Sequence, residues 1–214
     1  SSTWYLAPDV INSIAPGRLK VLFGPQHGVG LTEQDNMIES SHLVHEKYHV
    51  PIYSLYESSR RPSPEMLEEI DTVLVDILDV GTRVYTFATT VLYVMKACAA
   101  LGKSVVILDR PNPVNGLDVE GNVLDPAYAS FVGPYPIPMR HGLSLGELMS
   151  YYNSTYSIGC DLTVIRRTGW SRGQYFDETG LTWAMPSPNM PTVDTAVVYP
   201  GQVLFEGTEV SEGR

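Results

Sequence analysis

Short apolar runs alternate with polar, turn-rich stretches along the chain at a spacing that predicts strands and helices in succession. Leu19–Phe23 reads as a buried strand ended by the Gly24–Gly30 turn, and Pro51–Tyr56 as a second strand. Arg60-Arg-Pro-Ser-Pro-Glu-Met-Leu67 begins a short helix, with Ser63 as cap and Pro64 suited to the first turn. Thr72–Leu78 is a strongly β-branched strand, and the turn after it leads into a helix over about 86–101, closed by Gly102. Ser104–Leu108 and Asp161–Ile165 are further strands, and Ser144 with Glu147 three residues on has the spacing of a capping box for a helix to about Asn153. Strands and helices alternating in this way point to an α/β fold with a parallel, doubly wound sheet.

Prolines break that rhythm twice. Six of them between Pro111 and Pro138 predict an ordered excursion over 111–141 that cannot be helical. Pro186, Pro188 and Pro191 make a second rigid stretch, followed by a short apolar run at Thr195–Tyr199. No internal repeat or low-complexity tract is present.

Composition narrows the picture. At 214 residues and 43% apolar content the chain is globular, and its net charge of −10 argues against nucleic acid as partner, since phosphate binding needs clustered Lys and Arg. No apolar run reaches the length of a membrane span. The two cysteines, Cys98 and Cys160, form neither a metal motif nor a disulfide framework, which favours a reducing, cytoplasmic compartment. A secreted protein with a trimmed leader would read the same way.

Candidate chemistry gathers at strand ends. Three turns after three predicted strands carry Gln26 and His27, then Asp79, Arg83 and Tyr85, then Asp109, Arg110 and Asn112. In a parallel sheet these turns project from one edge, which predicts a shared pocket. Capping of the segments that follow is the structural alternative for Asp79 and Asp109. The polar stretch after the first turn adds Glu33, Asn36 and Glu39; the proline-fixed loops add Arg140 with His141, and Asn189. Gly28-Val-Gly30 is only a fragment of a phosphate loop, and no Gly-x-Ser-x-Gly elbow surrounds any serine. His42, His45 and His49 have a spacing that a helix could use for zinc, but their setting is polar and loop-like.

Several ordered motifs carry a resemblance. Leu22-Phe-Gly-Pro-Gln-His-Gly, Asp76-Ile-Leu-Asp-Val-Gly-Thr-Arg-Val-Tyr-Thr, Leu108-Asp-Arg-Pro-Asn-Pro and Phe131-Val-Gly-Pro-Tyr-Pro-Ile-Pro-Met-Arg-His-Gly are joined by Pro186-Ser-Pro-Asn-Met-Pro-Thr and Leu204-Phe-Glu-Gly-Thr-Glu-Val-Ser-Glu-Gly-Arg. From about residue 19 to 214 the chain resembles the exo-β-N-acetylmuramidase family typified by NamZ, long catalogued as a domain of unknown function. The resemblance implies a glycoside hydrolase that releases terminal, non-reducing N-acetylmuramic acid from peptidoglycan fragments, with no metal or other cofactor. It also implies a Rossmann-like, cleft-bearing domain over 1–142 and the beginning of a smaller, incomplete C-terminal α/β domain over 143–214.

One departure bears on mechanism. The family's first motif usually reads Gly-Pro-Glu-His-Gly, whereas position 26 here is glutamine. An amide orients substrate but cannot serve as general acid. Two carboxyl groups are normally needed, about 5–5.5 Å apart for retention or about 6.5–9.5 Å for inversion. Glu33, Glu39, Asp79, Asp109, Glu206 and Glu212 are the candidates. Among these, Glu39 or Asp79 is favoured as acid or base, with His27 beside them at the catalytic centre, and Arg140 as partner of the lactyl carboxylate. Gln26, Asn36, Arg83, Tyr85, Asp109, Arg110, Asn112, His141 and Asn189 complete the expected substrate contacts. A catalytically impaired amino-sugar-binding module is the alternative.

Overall fold

The computed structural model describes residues 6–29, 43–56 and 60–208. In chain order its elements are α1 (Ala7–Ile14), β1 (Leu22–Gly24), β2 (Leu43–Val44), β3 (Pro51–Ser54), β4 (Thr72–Val75), α2 (Thr86–Ala100), β5 (Ser104–Leu108), β6 (Glu120–Val123), β7 (Pro138–Arg140), α3 (Leu145–Thr155), β8 (Asp161–Ile165) and α4 (Val193–Gln202).

The fold is mixed α/β with parallel strands, as the alternating pattern predicts, and the ladder is divided. β1 pairs in parallel with β3, which β2 joins antiparallel; β4, β5 and β8 form a second, wholly parallel sheet in that order. α2 connects β4 to β5, and α3 lies on the path from β5 to β8. Successive strands are added in one direction, so right-handed crossovers put both helices on the same face. There α2 and α3 pack on each other and on their strands. The burial of β4 and β5 alternates accordingly, with Val73, Val75, Val105 and Ile107 directed inward.

α2 is the spine of the core. Its Leu92, Met95 and Cys98 are fully shielded, and Leu55, Leu67, Val105, Leu148, Met149 and Tyr152 pack around it. Each such apolar side chain stabilises the fold by about 1.5–3 kcal/mol relative to exposure. α3 and β8, C-terminal to residue 142, thus add to the sheet and core of residues 72–108. α3 starts where the Ser–Glu spacing puts it: Ser144 Oγ accepts from the Glu147 N–H, and Glu147 Oε2 accepts from the Ser144 N–H. The 195–199 run, in contrast, lies inside α4, capped by Thr192 and anchored by fully buried Ala196.

The proline-rich excursion is an irregular antiparallel pair, β6 with β7. It is pinned over the turn after β4: the Arg83 N–H donates to Met139 O, and Arg83 Nη1 donates to Asn122 O and Ile137 O at 2.8 and 2.7 Å.

Candidate active site

The first turn meets the second at the start of α2, and the third approaches the second through Asn112, whose Oδ1 lies beside Gly81. Thr86, the first residue of α2, donates its hydroxyl to Gln26 Oε1 at 2.9 Å. Asp79 lies in the same region. Its Oδ2 accepts from the Gly81 N–H at 2.9 Å, whereas Oδ1 is buried with no hydrogen-bond partner among the described residues. Burial raises the Asp79 carboxyl from 3.8 to about 7, against the opposing pull of backbone N–H groups of Gly81, Val80 and Ala88. Tyr85 donates to Pro186 O at 3.0 Å, which draws the second proline-rich loop to this edge. Burial, and then the Asp79 charge, pushes the Tyr85 hydroxyl above its ordinary range.

His27 follows Gln26 with φ at 72°, a left-handed conformation that costs a non-glycine residue about 1–2 kcal/mol and turns the chain sharply after β1. Gly81, with φ at 77°, meets the same demand without cost. A Cβ at position 81 would also overlap Asn112 Oδ1 and the Val114 side chain. Gly81→Ala is therefore expected to cost about 3 kcal/mol, read as a lowered urea midpoint. A loss under about 1 kcal/mol would mean that the turn relaxes freely.

Other expected contacts are engaged within the protein. Asn112 Nδ2 donates to Leu143 O, and its Oδ1 accepts from the Val114 N–H, so it ties the β5 turn to the entry of α3. Asp109 is buried. Its Oδ1 accepts from the Gly146 N–H and its Oδ2 from Ser144 Oγ, both at 2.8 Å, and it is ion-paired with Arg167. Arg110 pairs with Asp76. Arg140 spans Glu120 at 2.6 Å and Asp118 at 3.1 Å, and also donates to Val114 O and to Tyr175 Oη. His141 is buried; its Nδ1 accepts from the Leu143 N–H, Nε2 has no partner among the described residues, and burial lowers it to about 4, so it is neutral at physiological pH. Asn189 is exposed in the loop that reaches Tyr85. Glu33, Asn36, Glu39, His42 and Glu212 lie outside the described residues.

Sequence reasoning missed Thr86, Asp76 and Arg167. Thr86 was signalled by its place just after the Asp79–Tyr85 turn. Arg167 had no local signal, being 58 residues from Asp109. No three His, Cys, Asp or Glu side chains gather as for a metal ion among the described residues, and His45 Nδ1 accepts from the Lys47 N–H.

Residues 5–194 match the family described as exo-β-N-acetylmuramidase NamZ, N-terminal. The peptidoglycan β-N-acetylmuramidase NamZ of Bacillus subtilis is 49% identical over 211 residues, covering 98% of this chain and 49% of that protein. The chain thus spans about half the length of the curated relative that it matches. Two crystal structures of DUF1343 family proteins from Bacteroides fragilis share the fold. One has a TM-score of 0.85 at 36% identity, covering 94% of this chain and 51% of that one. The other has a TM-score of 0.74 at 37% identity, covering 92% and 51%. The chain thus belongs to the exo-β-N-acetylmuramidase NamZ family, matching its N-terminal part.

Proposed function

We propose that this chain carries the cleft of a glycoside hydrolase that removes terminal, non-reducing N-acetylmuramic acid from peptidoglycan fragments. The observation that carries the reading is Asp79. It is a carboxyl group at the strand edge, buried and raised to about 7, with one oxygen unpartnered among the described residues, beside the helix end that Gln26 also touches. A carboxyl group so tuned suits a general acid at neutral pH. It gives its proton to the glycosidic oxygen as the bond to the leaving sugar breaks. Glu39 is the proposed second carboxylate, and Gln26 and His27 orient the sugar. The kinship with a peptidoglycan β-N-acetylmuramidase supports the choice of substrate.

Arg140 is the proposed partner of the lactyl carboxylate. Its side chain is 11% exposed, and those of its present partners Asp118 and Glu120 are 50% and 66% exposed, so either carboxylate can return to water when a substrate carboxylate takes its place. Arg140→Gln should weaken binding of N-acetylmuramic acid more than that of N-acetylglucosamine, compared by calorimetry. Equal losses for the two sugars would remove Arg140 from this role.

A second reading follows from the amide at position 26: a sugar-binding module that retains the cleft without turnover. Release of 4-nitrophenol from 4-nitrophenyl β-N-acetylmuraminide decides between them. Turnover supports the hydrolase. A folded protein that binds the sugar without releasing the nitrophenol supports the binding module.

A further inference from the structure

A strip of aromatic rings carrying cations leads away from the carboxyl edge. Tyr56 lies two residues beyond the end of β3. The Arg60 guanidinium sits 4.1 Å over the ring of Phe131 and 5.7 Å over that of Tyr56. Phe131 lies 5.7 Å from Tyr93 on α2. One turn further along that helix, Lys96 Nζ is 5.8 Å from the centre of Tyr93 and 5.1 Å from that of Tyr135. The rings are half-buried and Arg60 is exposed.

Charge makes this strip unusual. The chain has 24 Asp and Glu against 14 Lys and Arg. At the neighbouring edge Arg110, Arg140 and Arg167 are all paired with carboxylates. Among the described residues, neither Arg60 nor Lys96 has a carboxylate within 4.0 Å. Their neighbours are π faces, which attract a cation without neutralising it. A guanidinium laid on a ring keeps its N–H edges for bidentate capture of a carboxylate, and a side chain already held in place loses less entropy on binding.

We infer that this strip binds an anionic glycan: Arg60 and Lys96 each take a carboxylate of an amino-sugar strand, whose sugar rings lie against the exposed parts of Tyr93 and Tyr135. Identification of the anion as the strand beyond the cleaved sugar rests on the function proposed above; the cationic strip does not.

The test compares the protein with an Arg60→Gln/Lys96→Gln double variant, both substitutions lying away from the core. The probes are peptidoglycan glycan strands freed of peptide, neutral chitotetraose, and the free stem peptide. The charged strands should bind the variant about tenfold or more weakly at low salt, with the gap narrowing as salt rises. Chitotetraose should bind both proteins alike, and the KM for the strands should rise relative to that for 4-nitrophenyl β-N-acetylmuraminide. Equal affinity of the strands for both proteins overturns the inference. So does a charge-dependent response to the free peptide with none to the stripped strands, which would make the strip a peptide site. Should the nitrophenyl glycoside go uncleaved while the strands still lose affinity for the variant, the hydrolase reading fails and the strip stands.

Discussion

Asp79→Asn should make the protein more stable above neutral pH and cut turnover by about 10²–10⁴-fold. The carboxyl is displaced from 3.8 to about 7 by burial, so between those values the folded state holds a proton that the unfolded state has released. Stability from this residue is full below about pH 4 and lost as pH rises through about 7. The displacement corresponds to about 4 kcal/mol. His141 works in the opposite direction over part of the range: lowered to about 4, it releases its proton in the folded state before the unfolded one does, and adds stability as pH rises from 4 to 6.5. The wild type should therefore show a nearly flat stability profile over that interval, and the variant a rising one. Denaturant titrations at pH 4.5, 6 and 8 would show the gap between the two proteins widening with pH. A variant less stable than wild type at pH 8 would mean that Asp79 is held charged, and near-normal turnover would remove it as the acid.

Asp109→Asn is expected to cost about 3–5 kcal/mol without acting through substrate. The Asp109 side chain is 1% exposed and that of Arg167 14%, so removing one charge strands the other in a setting where water cannot replace it. The nearby Glu147, at 3.4 Å from Arg167 and shared with Arg172, compensates only in part. The double change Asp109→Asn/Arg167→Met should recover much of the loss, since a stranded charge costs more than an absent pair. A loss under 1 kcal/mol in the single variant, with sugar binding abolished, would instead place Asp109 in the cleft.

These two aspartates show how far the residues could be read in advance. Both stand after β-branched strands, and that local signal sufficed to place them on one edge. β5 and β8 occupy the predicted ranges because Val, Ile and Leu runs between turns leave few alternatives. The Ser144–Glu147 cap is equally local, a matter of residue type and spacing. What divides the aspartates is contact with distant residues. Asp109 meets Arg167 and the N-terminus of α3, while Asp79 accepts from the Gly81 N–H and has no ion-pair partner among the described residues, and no periodicity encodes that difference. Long-range contacts also explain the shorter β4, which ends at Val75 before Asp76 turns to Arg110, and the packing of the helix over 195–199 around Ala196. Gly146 belongs to the same class. Its absent side chain lets the α3 backbone approach Asp109, where a Cβ would lie 2.9 Å from the carboxyl carbon.

The hydrogen bond between Thr86 and Gln26 sets which side chains position 26 can hold. A hydroxyl donor serves an amide oxygen and a carboxylate oxygen equally well, so the seat at position 26 fits glutamine or the glutamate of the usual motif with the same backbone and the same neighbour. Passage between the two requires no repacking of α2 or of the turn after β1. Gln26→Glu is therefore expected to leave stability, read from the urea midpoint, within about 0.5 kcal/mol of that of the parent protein.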